Sequence, residues 1–325
     1  MIALADIWIA VLCGIIVALA ASLFLALAAP LLVRLLRWFS PGVRAAVLLG
    51  LLAAPIFSGI VIAVLVAFST HALPFDLVSH HCHTDSAACV SHARAEETLL
   101  LTALGGGSLG AIIVWLGLSL FDLVSRSSQS QRLLRLASKP ASDGTRVLQT
   151  RKPVAVSAGL LRSETYVSDG LVRALEAEQI AVVKAHESAH AERRDGLVRL
   201  LANLLSVGHL PWPQSLFLRE LELAQEQACD ATAAKTHGAI RTAETLLAVE
   251  RLKQVFGRET PEACRAFGAA DIELRARALL APHFLKPRLS ATGFALTVVV
   301  SALSLFIISE PIHHELESLF LSHNH

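Results

Sequence analysis

The sequence predicts a mainly α-helical membrane protein: four transmembrane helices, with one cytoplasmic α+β domain inserted between the third and the fourth. Three observations carry that expectation. Of 325 residues, 54% are hydrophobic and only 17% charged, too apolar a balance for an ordinary soluble domain. The excess gathers in four uncharged runs, about 7–33, 45–69, 98–121 and 289–309, each as long as the ~20 residues that cross a bilayer core as a helix. The stretch between the third and fourth runs is polar and of domain size.

The first run is too long for a signal-peptide core and lacks a basic leader, so it reads as an anchor. Four such runs buried in a soluble fold would need a far larger polar shell than this chain offers. Residues 1–124 therefore form a membrane domain with three spans and an outer loop at 70–97. Residues 125–288 form the inserted domain, 289–309 the fourth span, and 310–325 a short tail.

Orientation follows from the basic residues. Arg34, Arg37 and Arg44 lie about the first short loop, and 24 of the 28 Lys and Arg fall between 126 and 288. The opposite side keeps only Arg94 beside eight acids. The positive-inside rule then places both basic regions in the cytoplasm and both termini outside. A net charge of +1 hides this asymmetry, and 18 acids interleaved through the insert exclude a nucleic-acid footprint.

Within the insert, 125–131 is a polar stretch read as a linker, and β-branched clusters between 145 and 167 predict two or three short strands. Ser168 or Asp169 caps a helix starting near Leu171. The helical pattern then runs to Ala281, broken at Pro211, Pro213, Gly238 and about 257–261. Residues 200–218 carry no formal charge but are interrupted by His209, Pro211 and Pro213, leaving arms too short to cross a bilayer. They predict a buried or interfacial hairpin in contact with membrane lipid, with His209 near the interface. No internal repeat is present.

The chemistry gathers at His186-Glu187-Ser188-Ala189-His190. Residues four apart share a helical face, so both imidazoles can point at one metal ion, with Glu187 placed to take a proton from water activated there. A catalytic site needs a third protein ligand. Downstream, Glu222, Glu226 and Asp230 line one face at a spacing of four. They read either as a solvated acidic stripe or as buried carboxylates facing a cation.

Together these residues resemble the integral-membrane zinc metallopeptidases of the antirepressor type, the family of the β-lactam sensor-transducers. The resemblance rests on 158–161, 166–171, His186 to His190 with Arg194-Asp195, Glu226-Gln227-Ala228-Cys229-Asp230 and 275–280. It implies a gluzincin-like peptidase domain with Zn2+ held by His186, His190 and Glu226 and Glu187 as the general base. Asp230 would hold a ligand histidine from behind, and Asp195 would have an orienting role unless it is a simple helix C-terminal or loop carboxylate. Glu222 is the fallback ligand, Tyr166 reads as packing and His237 as a surface histidine. The resemblance further implies a multi-pass protein of the bacterial inner membrane that cleaves a protein substrate, a transcriptional repressor or itself, in response to an outside signal. A membrane quality-control peptidase and a non-proteolytic metal-sensing receptor are the alternatives.

The chain departs from its best-known relatives after the last span, where 16 residues stand in place of a penicillin-binding sensor. Direct β-lactam acylation is not expected. Nine of 14 histidines fall on the outer side instead. His80, His81, Cys82 and His83 are a candidate external site for Zn, Cu or Ni, against the reading of a polar loop without a ligand. Cys82 and Cys89 form a disulfide, remain thiols or bind metal. Small residues between Gly105 and Gly110 suit close helix packing or a homodimer.

Overall fold

The computed structural model describes residues 4–69, 99–160, 162–256 and 262–281. The outer cluster His80, His81, Cys82 and His83, the Cys82–Cys89 pair, the run at 289–309 and the tail lie outside the described residues.

Three described helices are long and apolar enough to cross a membrane: α1 (Leu4–Leu36), α2 (Pro41–Ser69) and α3 (Leu99–Leu136). The first two pack as an antiparallel pair. Their backbones meet at Gly14 and Gly59, where a Cβ on either residue would stand 2.6 Å from the other's carbonyl oxygen. Only glycine permits that approach. In α3, Gly105 and Gly106 lie against the Trp8 side chain of α1, whereas a Cβ at Gly107 or Gly110 meets no described atom within 4 Å. Part of the small-residue stretch therefore serves helix packing.

The third helix corrects one expectation. Residues 125–131 are not a linker; α3 runs through them to Leu136. No glycine or proline interrupts 118–136, and an i,i+4 pair joins Asp122 to Arg126 at 2.8 Å. The far end is tied to the sheet by Gln131 Nε2 donating to the Arg162 carbonyl (2.9 Å) and by Arg135 on Glu164 (2.8 Å).

The sheet has four strands: β1 (Ser138–Pro140), which precedes the stretch expected to be extended, and the three expected within it, β2 (Arg146–Leu148), β3 (Ala155–Ala158) and β4 (Glu164–Ser168), in the order β1-β2-β4-β3. The β2–β4 pair is parallel and the others antiparallel. Ser138-Lys139-Pro140 is short, polar and proline-ended, so strand propensity gives no sign of β1. β3 forms the far edge. Ser168 then caps α4 (Asp169–Ala174), its hydroxyl accepting from Leu171 N–H at 3.1 Å, as predicted.

Five further helices complete the described fold: α5 (Ala177–Arg193), α6 (Asp195–Leu205), α7 (Pro211–His237), α8 (Ala239–Phe256) and α9 (Glu262–Leu280). Both prolines at 211 and 213 sit in the first turn of α7, where a missing N–H costs nothing. The hairpin of α6, a 3-10 turn and α7 is buried against α1 and α2, not placed at their ends. Gly208 approaches Pro55 and Ile56, and Leu210 N–H donates to Ser22 Oγ at 3.0 Å, midway along both helices. His209 explains the depth. Pro55 has no N–H, so the Leu51 carbonyl lacks its helical donor, and His209 Nε2 donates to it at 3.1 Å. Phe217, Leu221 and Ala224 of α7 close a core with Leu25, Leu48 and Leu52. Beyond it Arg37 pairs with Glu220 at 2.6 Å and buried Arg44 donates to Gln227.

The Gly14–Gly59 contact yields a stability test. Gly14→Leu is expected to force the α1–α2 crossing apart at a cost of about 1–3 kcal/mol, lowering the Tm in detergent. Gly110→Ala, with open space around it, should leave the Tm unchanged or raise it slightly through helix propensity.

Candidate metal centre

Helix α5 carries His186, Glu187 and His190. A capping box starts it: Glu176 and Gln179 exchange side-chain and backbone hydrogen bonds. It ends at Arg194, whose φ of 54° is the one left-handed conformation among described non-glycine residues. That reversal turns the chain into α6 and brings Asp195 back alongside the helix it has just left.

The histidines, one helical turn apart, direct both Nε2 atoms to one point, 3.2 Å from each other. Glu226 arrives from α7. Its Oε1 lies 3.4 Å from His190 Nε2 and its Oε2 3.5 Å from His186 Nε2. Ligands about 2.0–2.2 Å from a shared tetrahedral ion stand roughly 3.3–3.5 Å apart, so the three donor atoms fit one cation. The opposite ring nitrogens are held by carboxylates. His186 Nδ1 meets Asp230 Oδ1 at 2.9 Å, and His190 Nδ1 meets Asp195 Oδ2 at 2.8 Å. A carboxylate behind each ring fixes the tautomer that leaves the Nε2 lone pair toward the centre. The five residues read from the sequence as ligands and their supports are therefore brought together, each Asp on a different histidine.

Electrostatics favour a cation. Burial opposes charging His190, but Asp195, Cys229 and Glu226 outweigh it and push its pKa up to about 12. His186 is likewise raised, its burial outweighed by Asp230 and Glu226. Burial alone would raise Glu226 and Asp230. The two imidazoles and the Arg275 guanidinium hold Glu226 far below the usual carboxylate range, and Arg275 with His186 holds Asp230 low. Glu226, Asp230 and Asp195 thus surround the two imidazoles with carboxylates.

Glu187 lines the same cavity, about 270 Å³, together with Ala155, Val156 and Ser157 of β3 and Val249 and Lys253 of α8. Burial pushes its carboxyl above the ordinary range, the direction that suits a general base. Other assignments separate here. The Glu222 side chain is 61% exposed and lies 3.9 Å from Arg199, away from the centre, so it is not a ligand. Tyr166 is fully buried with its hydroxyl donating to Glu164 at 2.7 Å, a packing role. His209 belongs to the hairpin contact. His237 ends α7 outside the cavity.

Two arginines went unassigned in the sequence. Arg199 of α6 lies 3.5 Å from Glu226 Oε1, and Arg275 of α9 contacts both Glu226 and Asp230. Arg275 falls in a stretch that carried part of the family resemblance, but its distance of 45 residues from Asp230 gives no hint of contact. The sequence assigns Cys229 no role of its own. It is buried with Sγ 3.5 Å from Asp195 Oδ2.

Two outcomes follow. Asp195→Asn and Asp230→Asn should each weaken metal binding about 10–100-fold in chelator competition, while Glu222→Gln leaves it unchanged. Protons and metal compete for the same imidazoles, and the carboxylates that raise their pKa strengthen the proton's side of that competition. The affinity should therefore rise with pH, about tenfold per unit for each proton displaced, and fall on acidification, as titration calorimetry at several pH values would show.

The model of the family described as BlaR1 peptidase M56 matches residues 83–279, more than half of the chain, from before α3 to the end of α9. No curated protein and no solved structure gives a significant match. The match encloses every residue of the metal centre, and the peptidases of this family are metallopeptidases. The chain belongs to the BlaR1 peptidase M56 family.

Proposed function

We propose that the protein is a membrane zinc metalloendopeptidase that hydrolyses peptide bonds of a protein substrate on the cytoplasmic side. The observation that supports this most is the convergence of His186 Nε2, His190 Nε2 and Glu226 beside a buried Glu187 in a cavity edged by a strand. Zinc suits a donor set of two imidazoles and one carboxylate with tetrahedral spacing. The apolar helices α1, α2 and α3 support a membrane location, and the Lys and Arg distribution supports the cytoplasmic address.

When bound, the zinc ion supplies Lewis acidity to the scissile carbonyl and the attacking water. The chain's own groups do the rest. Glu187 takes the proton of the attacking water and delivers it to the leaving amine. Asp230 and Asp195 hold the imidazoles in register. β3, at the edge of the sheet and lining the cavity, offers unpaired backbone groups to an extended substrate segment. The substrate is a regulator, either a transcriptional repressor or the protein itself, cleaved in response to an outside signal. A quality-control peptidase would use the same chemistry on other substrates. A purely metal-sensing receptor has no use for a general base in the cavity, and Glu187 stands against that reading.

The test is Glu187→Gln in the full chain. It should keep wild-type metal content while cleavage of a peptide library, followed by mass spectrometry, falls by about 10²–10⁴. Undiminished cleavage by this variant would remove the proposed mechanism. Phenanthroline should abolish wild-type cleavage, and added Zn2+ should restore it.

A further inference from the structure

The geometry points to Arg275 as a positioning residue of the metal centre, which makes α9 a structural part of it. The inference rests on the metallopeptidase reading above. Arg275 Nε donates to Asp230 Oδ2 and its Nη2 to Asp230 Oδ1, both at 2.8 Å, a bidentate fork on the carboxylate behind His186. Its remaining Nη1 stands 3.0 Å from Glu226 Oε2. One planar group thus spans both carboxylates that α7 presents one turn apart.

Those carboxylates need such a partner. The Asp230 side chain is 3% exposed and that of Glu226 23%, so little water screens their mutual repulsion. Asp230 has one oxygen shared by His186 Nδ1 and Arg275. Freed from the fork it can rotate, and His186 loses the support that aims its Nε2. Glu226, freed from Nη1, is no longer held with its oxygens toward the two histidines. A guanidinium can meet three acceptors in one plane; an ammonium is a point charge and cannot. The role is therefore one of orientation as well as charge.

Arg275 is not an adventitious surface pair. Its side chain is 15% exposed, against 75% for Arg277 two residues on, which pairs with Glu273 within its own helix. The docking of α9 is fixed at the same point. Gln227 Nε2 donates to the Leu274 carbonyl at 3.0 Å, while its Oε1 accepts from Arg44 at the start of α2. The centre is consequently built by α5, α6, α7 and α9 together, and α9 enters it through one side chain.

The test uses the full chain in detergent, titrated with Co2+ and with Zn2+ against a chelator. Arg275→Lys keeps the charge and removes the fork. It is expected to weaken metal binding about tenfold or more and to change the Co2+ visible spectrum, as loss of an outer-shell support does. Arg277→Lys should change neither. In the Asp230→Asn background, Arg275→Lys should cost clearly less than it does alone, because part of its effect runs through that carboxylate and only the part through Glu226 remains. A Lys variant with wild-type affinity and spectrum overturns the inference, as does full additivity with Asp230→Asn. If the wild-type protein binds neither ion, the metallopeptidase reading itself fails.

Discussion

Two carboxylates one turn apart on α7, Glu226 and Asp230, are removed from water and must be met by positive charge. Much of the domain is arranged around that requirement. α5 brings two imidazoles against one side and α9 a guanidinium against the other. A buried charge without a partner costs several kcal/mol or takes up a proton. The arrangement is therefore stable only when the helices dock together, and a divalent cation at the convergent Nε2 atoms completes the same balance.

α7 also links the metal centre to the apolar helices. Its first turn lies against the middle of α1 and α2, and Glu226 follows 15 residues later, about 22 Å along the axis. The contact is set by backbone chemistry. Pro55 leaves the Leu51 carbonyl without a donor, and His209 supplies one. Further along α7, Arg37 and Arg44 grip Glu220 and Gln227, which flank the ligand Glu226. A rigid helix held at its start and beside Glu226 gives the metal centre a defined position against the apolar pair.

The ligand set was legible because a helix converts sequence spacing into geometry. His186, His190, Glu226 and Asp230 all lie at intervals of four within their helices, and intervals of four place side chains on one face. Other features follow different rules. β1 has too few and too polar residues to show a strand pattern. The 125–131 stretch looks like a linker by composition, yet nothing in it breaks a helix. The depth of the 200–218 hairpin depends on Pro55, some 150 residues earlier, which no local pattern reveals. Arg275 lies in a stretch that carries the resemblance but shows no role there, since its partners lie on another helix.

By itself the sequence determined the apolar runs, the HExxH helix, the ExxxD face and the cap at Ser168, all products of local periodicity and short-range hydrogen bonding. Only the tertiary structure decided that Asp195 serves His190 and Asp230 serves His186. The same holds for Glu222 facing solvent, for Glu226 and Asp230 sharing one guanidinium from α9, and for His209 entering between α1 and α2. These depend on which helices dock and at what rotation, a choice made by close packing and by the need to pair buried charges across long separations in the chain.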